Sequence, residues 1–309
     1  MKKIIISLFL LSATLLARAQ QDPMFTHYAF NTLAVNPAYA GTRDALTVTG
    51  LYRSQWVGFP GAPITQTLTL HSPIVKKSMG LGLSVLNDKI GPTKTTSFYL
   101  DFAYRIRITE KSWLSFGLKG GLNARRNELT SLNTTEENDP LFAQNVKSKL
   151  LPNLGLGIYY FADKYYFGLS TPKLFENNFT GNTTDAVLES GKEQRHFFFI
   201  AGAVFQLSED ILLKPTGFVK YTQASPVEAD ITANFIFHDR FWVGAMYRTG
   251  DALGILAGVN ITKQLALGYS FDWSFVNPTA TYNAGSHEVM LRYDFLFKGQ
   301  EKVLSPRYF

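Results

Sequence analysis

Residues 98–107 read FYLDFAYRIR, and this stretch alternates between two kinds of side chain. One set of positions is apolar or aromatic: Phe98, Leu100, Phe102, Tyr104 and Ile106. The other set includes the charges: Tyr99, Asp101, Ala103, Arg105 and Arg107. Because successive side chains of a β-strand point to opposite faces, this period of two predicts a strand with one apolar face and one polar face.

The same alternation recurs along the chain in segments of roughly ten residues, a length typical of strands that cross an outer membrane. The faces opposite the aromatic ones often carry glycine, serine, threonine, asparagine and charges of both signs, which suits an enclosed lumen. About fourteen strands are predicted, an even number as single-chain bacterial barrels require: near 45–55, 63–71, 78–86, 95–107, 112–124, 150–161, 164–170, 195–207, 210–221, 227–237, 240–248, 252–261, 264–273 and 286–297. The predicted fold is therefore an all-β transmembrane antiparallel β-barrel, and a soluble β-sandwich or solenoid is the alternative.

Composition agrees with a lipid-facing surface. Of the 309 residues, 46% are hydrophobic and only 17% are charged, against about 25% charged in soluble domains. An apolar oligomer interface would give a similar composition. After residue 19 no apolar stretch of helix length remains, so a membrane-embedded chain must span as a closed barrel that pairs all its backbone groups.

Residues 1–19 are predicted to be a secretory signal peptide. Lys2 and Lys3 precede an apolar run over 4–16, and Ala17-Arg18-Ala19 forms an A-x-A cleavage site. Cleavage after Ala19 removes three basic residues and no acidic ones, which lowers the formal net charge of +6 by three. The small remaining charge does not indicate a nucleic-acid partner.

The connections between predicted strands alternate in length. Every second one is brief and polar, whereas the two longest, around 125–149 and 171–194, fall in the other set. Outer-membrane barrels have short periplasmic turns and longer extracellular loops. The alternation of short and long connections therefore predicts an outer-membrane protein, in contact with outer-membrane lipid, whose N-terminus is periplasmic.

Residues 20–44 do not alternate and contain Asn36-Pro37 and Gly41, which indicates an ordered irregular segment. This segment can lie inside the barrel as a plug or below it as a periplasmic contact, and we favour the plug. Its aromatic residues would then pack against the lumen: Phe25, Tyr28, Phe30 and Tyr39. The chain thus divides into a signal peptide (1–19), this segment (20–44), the barrel (45–297) and a C-terminal tail (298–309).

The first predicted extracellular loop, from Trp56 to Pro63, is apolar and stiff, with Phe59 near its centre. It could fold inward and narrow the pore, or receive a partner chain. Alternatively, Trp56 belongs to the aromatic girdle at the membrane interface.

No residue of the sequence is predicted to be catalytic or to bind a cofactor or a metal ion. The five histidines have no evident serine and carboxylate partners at the same level, there is no H-x-x-x-H spacing, and the chain has no cysteine. The protein is therefore predicted not to be an enzyme. Charges of mixed sign on the inward faces predict ion pairs that rigidify the lumen or hold a plug, rather than a charge-selective pore: Asp101, Arg105, Arg107, Lys119, Glu228, Asp230, Arg292 and Asp294.

The stretch DPMFTHYAFNTLAVNPAYAGTRD (22–44), followed by TGLYRSQWVGFPGAPITQTLTLHSPI (49–74), resembles the start of the PorP/SprF family of Bacteroidota. The most specific matches are Asn36-Pro37-Ala38-Tyr39-Ala40-Gly41 and Tyr52-Arg53-x-Gln55-Trp56-x-Gly58-Phe59. The resemblance implies an outer-membrane component of the type IX secretion system. Some members support secretion and surface attachment of large gliding adhesins by recognising a C-terminal targeting domain.

By this resemblance the cargo, or another secretion-system subunit, is the expected partner. The residues expected to bind it, or to form the plug, are the four aromatics of the segment with Asn36, Pro37, Arg53, Trp56 and Phe59. The alternative function is an outer-membrane channel or hydrophobic-solute transporter gated by the N-terminal segment.

Overall fold

The computed structural model describes residues 22–74, 78–132, 145–147, 150–182, 187–223, 225–275 and 282–296. The predicted signal peptide and the predicted tail lie outside these ranges. Helical structure within them is confined to short 3-10 turns, among them Thr32–Ala34 and Pro37–Tyr39. No helix of the described residues has the length and apolar character needed to cross a membrane.

Fourteen strands form a closed antiparallel barrel, which confirms the predicted fold and strand number. In chain order they are β1 Leu46–Ser54, β2 Ile64–Ile74, β3 Met79–Ile90, β4 Thr93–Thr109, β5 Ser112–Asn127, β6 Leu151–Ala162, β7 Tyr165–Thr171, β8 His196–Ala203, β9 Ile211–Thr222, β10 Glu228–Phe237, β11 Phe241–Arg248, β12 Ala252–Asn260, β13 Leu265–Ser274 and β14 Ser286–Phe295. Each strand pairs with its sequence neighbours. Pairing of β1 with β14 closes the barrel and sets Thr49 opposite Arg292.

Short strands add to this frame at the connections. Val146–Lys147 continues the sheet beside the end of β5, and Phe205–Gln206 pairs with the start of β9. Asn178–Asn182 and Val187–Lys192 form a separate two-stranded hairpin between β7 and β8. Val146–Lys147 and the hairpin fall in connections that the alternation left unassigned, whereas Phe205–Gln206 lies within the predicted strand 195–207, which the structure divides after Ala203.

The two faces of the wall differ as the alternation predicts. On β4, Leu100 is 60% exposed on the outer face, while its neighbour Asp101 is 1% exposed on the inner face. The same contrast holds on the other long strands, so the outer surface presents a band of leucine, isoleucine, valine and aromatic side chains. Such a band is stable against lipid hydrocarbon, which explains the low content of charged residues.

The two ends of the barrel are distinct. We call the end that carries the connections 55–63, 128–150 and 172–195 the long-loop end, and the opposite end the short-turn end. Because β1 leads into the connection 55–63 at the long-loop end and successive strands are antiparallel, β1 begins at the short-turn end and β14 ends there.

Candidate functional site

Residues 22–45, here called the N-terminal segment, run through the barrel from one end to the other. At the long-loop end the Lys173 amine lies 2.7 Å from an Asp22 carboxylate oxygen. At the short-turn end Arg43 Nη2 lies 2.9 Å from Asp294 Oδ2 at the end of β14. Asp22 and the start of β1, Leu46, therefore lie at opposite ends of the barrel. The loop lengths predict a periplasmic N-terminus. If the short-turn end faces the periplasm, Leu46 lies at the periplasmic end of the barrel and Asp22 lies at the opposite end.

Aromatic side chains of the segment pack against inward-facing rings of the wall. Tyr28 stacks on Phe218 of β9 with ring centroids 3.8 Å apart, and Phe30 stacks on Trp242 of β11 at 5.2 Å. Tyr39 meets the Tyr159 ring of β6 edge-on at 5.5 Å. Phe25 is also buried and belongs to the same apolar cluster as Tyr28, Tyr39 and Phe218. All four aromatics singled out in the sequence therefore contribute to an apolar core inside the barrel.

The Asn36-Pro37 turn is fixed on the inner face of β6 and β7. Asn36 Oδ1 accepts a hydrogen bond from the Ala38 amide at 2.9 Å, which caps the 3-10 turn that begins at Pro37. Its Nδ2 donates to the backbone carbonyls of Ile158 at 3.1 Å and Leu169 at 3.5 Å. An amide side chain is suited to this position because it donates and accepts at once.

Glycines in the wall make room for this turn. A Cβ on Gly117 of β5 would overlap the Ala38 backbone, and a Cβ on Gly157 of β6 would overlap the Asn36 side chain. The wall also supplies hydroxyls to the segment's backbone, since Ser115 Oγ donates to the Ala38 carbonyl at 2.6 Å. At Ala38 the backbone of the segment therefore lies directly against the backbone of β5.

A buried cluster of charges holds the segment near its start. Glu288 of β14 accepts from the Thr26 amide at 2.9 Å and from the His27 amide at 2.8 Å. Arg53 of β1 bridges the Glu288 carboxylate at 3.3 Å and the Asp272 carboxylate at 2.7 Å. Thr26 Oγ1 also donates to Asp272 at 2.7 Å. Buried charges are tolerated when they are paired and hydrogen-bonded in this way.

Arg53 is the member of this cluster that was predicted as a site residue from the sequence; its partners Glu288 and Asp272 were not. Both carboxylates lie in the inward phase of their strands, β14 and β13, and that phase was the available signal. Arg248 of β11 also lies in the inward phase of its strand and was not predicted as a site residue either. It binds Asp230 through two nitrogens at 2.9 and 2.8 Å, and it donates to the Phe25 carbonyl at 3.1 Å.

Seven of the eight predicted lumen charges do have partners inside the barrel. Asp101 pairs with Lys119 across β4 and β5 at 2.8 Å. Glu228 is 3.3 Å from Lys220, and Asp230 pairs with Arg248 as described. At the short-turn end, Arg105 donates to the Gly41 carbonyl, whereas Arg292 lies 3.6 Å from Asp294. Some of these charges pair within the wall and others bind the segment.

The prediction for Arg107 is wrong, because this side chain is exposed. Its guanidinium donates to the carbonyls of Thr109 at 3.2 Å and Glu110 at 3.1 Å, and it lies over the Trp113 ring. β4 continues past the enclosed interior at the short-turn end. The inward phase there faces the turn and no longer faces a lumen.

The loop after β1 is fixed against the approach to β14. The Val57 amide donates to the Gly285 carbonyl and the Ala284 amide donates to the Val57 carbonyl, both at 2.8 Å. Trp56 adopts a positive φ of 48° and is partly buried. Phe59 is 38% exposed at the long-loop end. Of the two aromatics predicted in this loop, Phe59 is the more accessible to a partner.

Asp22 and Lys173, both outside the strands, stabilise each other's charge. Burial raises the pKa of Asp22, but the interactions of its carboxylate with Lys173 and then with His196 outweigh burial and lower that pKa below its usual value. Burial lowers the pKa of Lys173, yet Asp22 raises it above the usual value. Both groups are charged at neutral pH. Among the described residues, no group of three or more histidine, cysteine or acidic side chains could hold a metal ion.

Comparison with known proteins gives a family and a fold. The model of the family described as type IX secretion system membrane protein PorP/SprF matches residues 17–293. This family is a class of secretion-system membrane protein and not a class of enzyme. No curated protein matches the chain at a significant level.

Solved outer-membrane barrels are similar in structure. The CymD monoaromatic hydrocarbon channel aligns with a TM-score of 0.54 and 11% identity, over 86% of this chain and 92% of its own. Omp33 of Acinetobacter baumannii aligns with a TM-score of 0.42 and 12% identity, over 83% and 100%. At such identities the likeness to CymD supports the fold alone. Fold and matched family together indicate the outer membrane.

Proposed function

Because the chain belongs to the PorP/SprF family of type IX secretion system membrane proteins, we propose that it is a non-enzymatic barrel that binds secreted surface proteins or other subunits of that system. The cargo is a large adhesin, recognised by its C-terminal targeting domain. Binding supports secretion of the adhesin, its attachment to the surface, or both.

The observation that carries this proposal is the occupied interior. The N-terminal segment contacts inward side chains on opposite sides of the barrel, from Arg53 and Glu288 to Tyr159 and Phe218. Its aromatic rings and paired charges are buried. A segment held in this way acts as a plug, so the ends of the barrel, rather than a pore, are the working surfaces.

The long-loop end is the proposed cargo surface. With short turns in the periplasm, as is usual for such barrels, this end faces outward and Asp22 is extracellular. The loop that contains Trp56 and Phe59 lies there and is fixed by its pairing with residues 284–285. A rigid loop with an exposed aromatic side chain offers an anchor at low entropic cost.

Deletion of the gene tests the proposal. One large surface protein should become trapped in the cell or released to the medium, and the wild-type gene should restore it. Affinity purification from detergent-solubilised outer membranes should recover that protein or secretion subunits together with the barrel. An unchanged surface proteome after deletion contradicts the proposal.

A channel or hydrophobic-solute transporter gated by the segment is the second candidate. It is favoured by a cleft that enters the barrel beside Asp22 at the long-loop end. Solute flux through the isolated barrel in lipid vesicles would support this candidate over the first.

A further inference from the structure

A cleft opens at the long-loop end between the start of the N-terminal segment and the inner faces of β3 and β4. Its outer part, here called the vestibule, has a volume of about 240 Å³ and is lined by charged residues that include Asp88, Arg125 and Glu193. A narrower inner part of about 60 Å³, here called the throat, continues toward the barrel interior. Vestibule and throat share Asp22, Leu86, Ser97 and Lys173 in their walls. The two parts are therefore adjacent, separated by no more than these shared residues.

The throat is mainly apolar. Phe25 and Val35 of the segment face Leu86 of β3 and Phe198 of β8 across it. Ser97 of β4 is 1% exposed, and its Oγ has no hydrogen-bond partner among the described residues. A buried hydroxyl without a partner is unfavourable. A ligand group that enters the throat could bond to it.

The charges of the vestibule are held in place by neighbours. Asp88 accepts from Thr65 Oγ1 at 2.6 Å, and Glu193 accepts from the Asn123 amide at 2.6 Å. Lys173 is paired with Asp22. Because both signs line the vestibule, a phosphate or sulfate would meet carboxylates as well as cations. A neutral group with alternating donors and acceptors fits these walls better.

From these walls we infer that the cleft binds a short extended peptide, with one small apolar side chain in the throat and its backbone in the vestibule. The inference rests on the proposed function, since a protein partner must reach the long-loop end. The throat is also lined by Thr69, Ser84 and Lys119. A sugar fits less well, because these polar groups already bond to Asn31 and Asp101. An apolar anchor surrounded by polar contacts is the usual arrangement of a peptide site.

The chain has no cysteine, so Ser97→Cys introduces a single thiol into the throat. The full-length variant in detergent is treated with methyl methanethiosulfonate, and modification is followed by intact mass. The probes are acetyl-Gly-Ser-X-Ser-Gly-amide peptides in which X is Gly, Ala, Val or Phe. With a Kd of about 1 mM, about 10 mM of the Ala or Val peptide should slow modification by roughly tenfold. The Gly and Phe peptides should leave the rate nearly unchanged.

Two cysteine variants serve as controls. Thr96→Cys, exposed on the outer face of the same strand, should react quickly and gain no protection from any peptide. Ser115→Cys, buried beneath Ala38, should not react. The inference is overturned if Ser97→Cys does not react in the folded barrel, if no peptide protects it, if the Gly peptide protects as well as the Val peptide, or if glucose or galactose protects it and the peptides do not.

Variants in cells separate this inference from the proposed function. Ser97→Phe should fill the throat and reduce the surface protein, whereas Thr96→Phe on the outer face should not. If deletion removes the surface protein but Ser97→Phe retains it, the peptide cleft is wrong and the proposed function stands. If deletion itself changes nothing, the proposed function is wrong, and the peptide-protection assay decides the cleft independently.

Discussion

Glu288 binds His27 twice, since its Oε1 lies 2.8 Å from the His27 amide and 2.7 Å from the ring Nδ1. Glu288 belongs to the last strand of the barrel, and His27 belongs to the N-terminal segment. The other carboxylate oxygen of Glu288 accepts from Arg53 of the first strand. One carboxylate thus joins the segment to the two strands that close the barrel.

Glu288→Gln should lower the stability of the folded barrel. The variant loses the negative charge that pairs with Arg53, and because Arg53 keeps Asp272 as a partner, the expected loss is about 1.5–3 kcal/mol. The measurement is the temperature at which the protein loses its folded mobility on a detergent gel. Glu110→Gln, on an exposed turn, is the control and should leave that temperature unchanged. Equal temperatures for Glu288→Gln and wild type would contradict the role given to this carboxylate.

Gly117→Val should displace the N-terminal segment or prevent folding, because the new side chain would occupy the position of the Ala38 backbone. Gly120→Val, three residues along the same strand, meets only a Leu154 methyl at 3.6 Å and should be tolerated. Hydrogen exchange of residues 25–43 measures the difference. Slow exchange in both variants would show that the segment does not depend on contact with the wall.

Arg43→Met should destabilise the short-turn end, because Asp294 would lose the guanidinium that donates to both of its oxygens. The expected loss is about 3–5 kcal/mol, as for other broken buried pairs. Arg107→Met is matched to it in residue type, but Arg107 is exposed, so its effect should stay within about 0.5 kcal/mol. Denaturant midpoints of the two variants test this. Similar midpoints would contradict the burial contrast.

Single cysteines should assign the two ends of the barrel. Lys94→Cys reports the long-loop end and Lys263→Cys reports the short-turn end, both at exposed positions. Asp22→Cys should react with a membrane-impermeant maleimide on intact cells whenever Lys94→Cys does. With short turns in the periplasm, Lys263→Cys should react only after lysis. Labelling of Asp22→Cys together with Lys263→Cys would exclude a segment that crosses the lumen.

The strands could be predicted from the sequence because lipid on one side and a polar interior on the other impose the alternation. Where a strand leaves the membrane, that constraint ends while the backbone pairing continues. β3 therefore reaches Ile90, beyond the predicted end at 86, and β4 reaches Thr109 beyond 107. Arg107 was assigned to the lumen for the same reason. Its side chain lies on the inward-facing side of β4, but its position along the barrel axis is beyond the enclosed interior.

The site was predictable in part. The aromatics and Asn36 of residues 20–44 stand out because they interrupt the alternation. The charged residues that bind Phe25, Thr26 and His27 lie more than 200 positions further along the chain, and only strand register and barrel closure bring them to the segment: Arg248, Asp272 and Glu288. The alternation determines on which face of the barrel wall each side chain lies. It does not determine the position along the barrel axis at which the N-terminal segment contacts the wall.

Planar-bilayer recording of the purified full-length protein tests most directly whether the N-terminal segment closes the barrel. Wild type should give a silent baseline at moderate voltage, and folded Gly117→Val protein should give channel openings, because its segment no longer fits the wall. Steady ohmic conductance from wild type would contradict a plugged, partner-binding barrel and would favour a channel.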